Sequence, residues 1–227
     1  MSDTHQFNHR QFLIFVVIGF LSLVFWHTPF LYPIKIFVVF IHEASHALTT
    51  IFTGGRVVSM VVTPWQSGYV QHAGGNSLFI AAAGYIGSAL FGGFLLLLST
   101  REEWASAVFF GLAIFFGLIT IFFVRNGFGL AFGLCTAAAF AFLSRRPFPG
   151  THYIIDILAV TSSLYAVYDL TDFLFIGART DAVILAEMTA IPAFIWAGIW
   201  TVISLGIVWG AGKRAVRQSP QTFESYE

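Results

Sequence analysis

His42-Glu43-Ala44-Ser45-His46, a His-Glu-x-x-His pattern, lies inside the apolar run "FVVFIHEASHALTTIFTGG", residues 37–55. On an α-helix, residues four apart differ by about 40° in azimuth and about 6 Å in height. The imidazoles of His42 and His46 therefore share a face and can converge on one ion. Glu43 lies about 100° round from His42, so its carboxylate can reach a water on that ion without ligating it. Such an arrangement suits metal-assisted hydrolysis, with the histidines as ligands and the glutamate as general base. The setting sharpens the point. A charged side chain near the middle of a membrane helix costs on the order of 3 kcal/mol, and coordination of a divalent cation offsets that cost.

Two histidines leave a catalytic zinc short of a third protein ligand and an open position. His5, His9, His27 and His152 sit at or beyond the ends of apolar segments, where interfacial roles suit them. His72 is nearer, in a strand-like stretch, and remains a candidate. A richer source is "HYIIDILAVTSSLYAVYDLTDFLF", which carries Asp156, Asp169 and Asp172. Asp156 is close to the start of that segment, where the helix dipole favours an acid. Asp169 and Asp172 are one turn apart on a shared face. One can ligate with the other as an outer partner, and Asp169 is the deeper of the two. Alternatively the pair ends a helix and reaches toward Arg179. Glu102, Glu103 and Glu187 need no functional role.

What must position these groups is a membrane bundle. The chain has 227 residues, is 57% hydrophobic and 10% charged, and contains 27 phenylalanines. Soluble domains carry about 25% charged residues. A spanning helix takes about 20 mainly apolar residues, which places helices near 11–28, 31–53, 77–99, 104–123, 127–144, 153–176 and 183–210. The expected fold is an all-α polytopic membrane protein of about seven transmembrane helices. A polar segment (1–10) precedes one transmembrane domain (11–210), and a polar tail (211–227) follows it. The first helix reads as uncleaved, because no small-residue processing site follows it. Pro192 is placed to kink the last helix.

One insertion departs from the helical pattern, "GRVVSMVVTPWQSGYVQHAGGN" within 55–76. Its β-branched runs and glycines predict strands near 57–62 and 68–72, a short membrane-level hairpin directly after the histidine pair. Irregular backbone at that depth must be buried in protein or line a wet cavity, so the hairpin is expected to border the same site. The stretch "AAAGYIGSALFGG" (81–93) gives the third helix a flat face of Gly84, Gly87 and Ser88 suited to close packing.

A formal net charge of zero offers no basic surface for nucleic acid. Cys135 is the single cysteine, which excludes a disulfide framework and a cysteine zinc cluster. Seven helices predict termini on opposite sides, and the distribution of lysine and arginine favours a cytoplasmic C-terminus. A bacterial plasma membrane and an organelle membrane both fit.

The apolar His-Glu-x-x-His helix, "TGGRV", the strand-like insertion and "AAAGYIGSALFGG" together resemble the site-2 protease group of intramembrane metalloproteases, peptidase family M50. The likeness is to its short M50B-like branch, which has no PDZ domain. It is strong over 36–95 and weaker through "SSLYAVYDLTDFL" to residues 180–200. The resemblance implies a zinc ion held by His42, His46 and an aspartate on a later helix, Asp169 by position. It also implies Glu43 as the base that activates water to cleave a peptide bond in a transmembrane protein substrate within the lipid bilayer. Better-known members set their aspartate in an Asn-Pro…Leu-Asp-Gly context, whereas here the aspartates stand in "YDLTDF". The competing expectations are a non-proteolytic metal-binding scaffold or chaperone of the same family, and a metal transporter. A transporter needs polar residues along a path over several helices, and here they concentrate on the second helix, the sixth and the insertion.

Overall fold

The computed structural model describes residues 8–169 and 180–217. Their order is α1 (His9–Phe25), α2 (Tyr32–Phe52), β1 (Arg56–Val62), β2 (Gly68–Ala73), α3 (Ser77–Ser99), α4 (Ala105–Phe123), α5 (Gly127–Arg145), α6 (Thr151–Ser163), α7 (Asp181–Thr189) and α8 (Ala193–Ala215). Short 3-10 turns lead into α2 and α4.

Local chemistry sets several of these limits. Asn8 caps α1 by accepting from Gln11 N, and Asn76 caps α3 by accepting from Leu78 N and Phe79 N. The Asn76 amide donates to Thr53 Oγ1, tying the start of α3 to the end of α2. Pro192 disfavours helical backbone at the residue before it. The segment expected as one kinked helix over 183–210 therefore divides, with Ala190 left-handed (φ 59°) between α7 and α8.

Five helical stretches are long and apolar enough to cross a membrane: Pro29–Phe52, Ser77–Ser99, Glu102–Phe123, Gly127–Arg145 and Ala193–Ala215. The chain is thus a multi-pass membrane protein, and the expected seven spans are not reached among the described residues. α1 has 17 residues. α6 has 13, about 20 Å at 1.5 Å per residue, against a hydrocarbon core of roughly 30 Å. The predicted sixth helix (153–176) breaks at Leu164 and resumes over 165–169, and its remainder lies outside the described residues. The two ends of the described chain meet, since Asn8 N donates to Val216 O at 2.7 Å. That contact replaces the expectation of ends on opposite sides.

α3 is the axis of the bundle and runs antiparallel to both α2 and α6. Gly84 lies against His42 and His46, and Gly92 lies against Ala159 and Ser163. Behind α2, the rings of Phe37 and Phe40 stack on Phe116 of α4 at 5.2 and 4.3 Å, and Phe140 of α5 packs edge-on to Phe116. These aromatic contacts fix the back of α2, so its His-Glu-x-x-His face turns toward α3.

The hairpin forms where the alternation placed it. β1 and β2 pair antiparallel from Arg56↔Ala73 to Val62↔Gly68, with one irregularity between Val57 and Ser59. Met60 and Val62 of β1 are fully buried. The outer edge of β1 is closed by the α4–α5 connection: Arg125 N donates to Met60 O, Asn126 Nδ2 donates to Val62 O at 2.7 Å, and Val62 N donates to Asn126 Oδ1. Backbone polar groups that lipid could not satisfy are met there by protein.

Candidate metal centre

α2 presents His42, Glu43 and His46 on one buried face, each under a tenth exposed. The two ring Nε2 atoms are 3.1 Å apart. Nδ1–H of His46 donates to the carbonyl of Ile80 at 2.6 Å, which fixes the tautomer and leaves Nε2 free to bind an ion. Among the described residues, Nδ1 of His42 is buried without a hydrogen-bond partner.

The third group is Asp181, the first residue of α7. Its Oδ2 lies 2.9 Å from His42 Nε2 and 3.2 Å from His46 Nε2. Among the described residues, His42, His46 and Asp181 are the set of potential ligands whose donor atoms gather within 4.8 Å of one another. Tetrahedral zinc with ligands at about 2.0–2.1 Å separates its donors by roughly 3.3 Å. Two neutral imidazoles and a carboxylate at these spacings fit one small divalent cation, with a position left open.

Glu43 is buried beside this set without joining it. Gly68, the first residue of β2, lies against Glu43 so closely that a Cβ there would stand 2.6 Å from Glu43 Cγ. On the other side a Cβ at Gly84 would overlap Nε2 of His42 and come within 2.6 Å of His46 Nε2. A side chain at Gly87 would overlap Ser45. The flat face read as a packing surface is thus also the floor beneath both imidazoles. Tyr85, next to Gly84, stacks on Tyr165 and Trp200 at 5.5 and 4.7 Å and meets His42 edge-on at 4.7 Å.

A cavity of about 760 Å³ opens onto the centre. Its walls include Glu43, both histidines, the β2 residues Gly68 to Val70 and, from α7, Ile184 and Met188. The hairpin borders the site, as its sequence implied.

Of the other predicted groups, Asp169 lines this cavity, and its carboxylate accepts a hydrogen bond from the hydroxyl of Tyr85. It stands outside the ligand cluster. Asp172 lies outside the described residues. His72 is on β2 at the cavity wall, with Nδ1 3.0 Å from Gly74 O. Asp156 is far from the centre and fully buried, where it accepts from Gln11 Nε2. Sequence reasoning passed over Asp181, 139 positions from His42. Its one signal was an acid at the head of a helix, in a stretch read as a loop.

The Peptidase M50B-like family model matches residues 14–211 of the chain. No curated protein and no solved structure matches it.

Proposed function

Because the chain belongs to the Peptidase M50B-like family, we propose that it is a zinc-dependent intramembrane endopeptidase acting on transmembrane segments of other membrane proteins. The observation that carries this reading is the convergence of His42, His46 and Asp181 beside a buried Glu43, in a cavity walled by a β-strand.

His42 and His46 would hold the ion through Nε2, and Asp181, in place of Asp169, would supply the third ligand. Zinc in that position supplies Lewis acidity toward a peptide carbonyl and a lowered pKa for water. Glu43 takes the proton from the attacking water and passes it to the departing amine. Its placement against Gly68 puts the carboxylate between the histidines and β2. A helical substrate has to unwind before its carbonyl is accessible. The edge of β1 is already occupied by the α4–α5 connection, so the unwound segment adds to the outer edge of β2. Seven of the eleven basic residues, Arg10, Arg101, Arg145, Arg146, Lys213, Arg214 and Arg217, flank helix ends at the pole where Asn8 meets Val216. That excess favours a cytoplasmic position for this pole.

The test is Glu43→Gln in the full-length protein with a transmembrane reporter substrate. Metal content is expected to persist while cleavage falls by roughly 10²–10⁴-fold. Cleavage that survives the change removes Glu43 as the base. A wild-type protein that holds metal and substrate without cutting would instead be a scaffold.

A further inference from the structure

A second cavity lies away from the metal centre and shares no residue with it. It is a groove of about 720 Å³ between α1, α6 and α8, open along one side. Its contact on α3 is Leu96, twelve residues from Gly84 and so about 18 Å along that helix. On α1 it runs from Phe12 to Leu23, about 16 Å. Half of a hydrocarbon core of roughly 30 Å has that depth.

The lining is apolar for most of its length and cationic at one end. Gly19 forms part of the floor, where a Cβ would only touch Leu164 and Val160. At the other end, next to the Asn8–Val216 contact, stand Lys213 and Arg217, both exposed. Among the described residues, no acid forms a salt bridge with either one. Trp209, one turn before Lys213 on α8, is 70% exposed on the groove wall. An aromatic ring beside basic residues at the end of an apolar channel is the pattern of a membrane interface.

We infer that this groove binds an anionic phospholipid, with one acyl chain along α1 and the phosphate between Lys213 and Arg217. Length, apolar lining and charge agree on that occupant. A neutral lipid would offer no net counter-charge to the two cations, and a helix about 10 Å across is too wide for a channel of this volume and length. The bound lipid fills the space that α1 leaves against α8, between its hydrogen bonds at the polar end through Asn8, Arg10 and Gln11 and the close approach of Gly19 to Val160 and Leu164. The inference does not depend on hydrolysis at the metal centre.

Trp209 is the reporter. Full-length protein in phosphatidylcholine vesicles receives increasing fractions of acyl-brominated phosphatidylglycerol or acyl-brominated phosphatidylcholine. The Trp209 contribution is the difference from Trp209→Phe. The anionic lipid should quench at about a tenfold lower fraction. The Lys213→Gln/Arg217→Gln variant, altered only at exposed positions, should make the two lipids equivalent. Gly19→Phe, which fills the floor, should reduce quenching by both while metal content stays unchanged. Equal quenching by the two lipids in the wild type overturns the inference, as does a preference that survives the double substitution. Displacement of the lipid by a transmembrane peptide at equal mole fraction overturns it too.

Discussion

Oδ2 of Asp181 stands 2.9 Å from Nε2 of His42 and 3.2 Å from Nε2 of His46. A short helix thereby closes, with its first residue, a site that two turns of α2 only begin. α7 is held for this task by Ala182 and Leu185, both buried under the bundle. On the proposed reading the third ligand comes from α7, and among the described residues Asp169 stands outside the cluster.

The first expectation concerns that ligand. Asp181→Asn should weaken metal binding by at least about 10²-fold, since it removes a ligand rather than an outer partner. Asp169→Asn should leave metal stoichiometry intact, because its carboxylate is engaged by Tyr85. Elemental analysis of both purified variants decides it. Full metal in Asp181→Asn with loss in Asp169→Asn would transfer the role to Asp169.

Metal occupancy should register as stability. A ligand present at about 100 times its Kd stabilises the folded state by about 2.7 kcal/mol. Adding zinc to chelator-treated protein should therefore raise the unfolding temperature, and the gain should vanish in His46→Ala. Equal gains in the two proteins would show that zinc binds elsewhere.

Gly84 offers a steric test. The methyl of Gly84→Ala would overlap both imidazoles, an overpacking cost of about 1–3 kcal/mol. It should also displace the rings from a common ion. Gly111→Ala in α4, which meets nothing within 4 Å, serves as the control and should be neutral or slightly stabilising. Metal content and thermal unfolding read both, and undiminished metal binding in Gly84→Ala would contradict the close approach.

Proline introduced along β2 at Tyr69, Val70 and Gln71 in turn should separate two functions of the hairpin. At positions whose N–H points away from β1, proline leaves the pairing with β1 but removes a donor from the free edge. Cleavage of a transmembrane reporter should fall at such positions while metal content holds. Unchanged cleavage at all three would exclude strand addition at this edge.

Asn126 anchors β1 through two hydrogen bonds with the backbone of Val62. Asn126→Ala leaves those groups without their partner, at about 1–3 kcal/mol. The expected result is a lower unfolding temperature and faster hydrogen exchange in β1, and exchange unchanged from the wild type would refute the anchor.

The sequence by itself determined the membrane class, the hairpin and the His-Glu-x-x-His face. Those signals are local: apolar runs of spanning length, a period of two between Arg56 and Ala73, and two histidines four residues apart on one helix. It also marked Gly84 as part of a close-packed face, though not as the floor beneath the imidazoles. The division of the last segment at Ala190–Pro192 was half legible, since proline signals a bend whose size depends on what packs around it. Only the tertiary structure decided that the ends of the described chain meet at Asn8 and Val216, and that Asp181 joins the histidines ahead of Asp169. Several acids follow the histidine pair along the chain, and all have the chemistry of a ligand. Which carboxylate comes within about 3 Å of two imidazoles depends on how α3 and α7 pack together across the bundle, and no spacing along the chain encodes that distance.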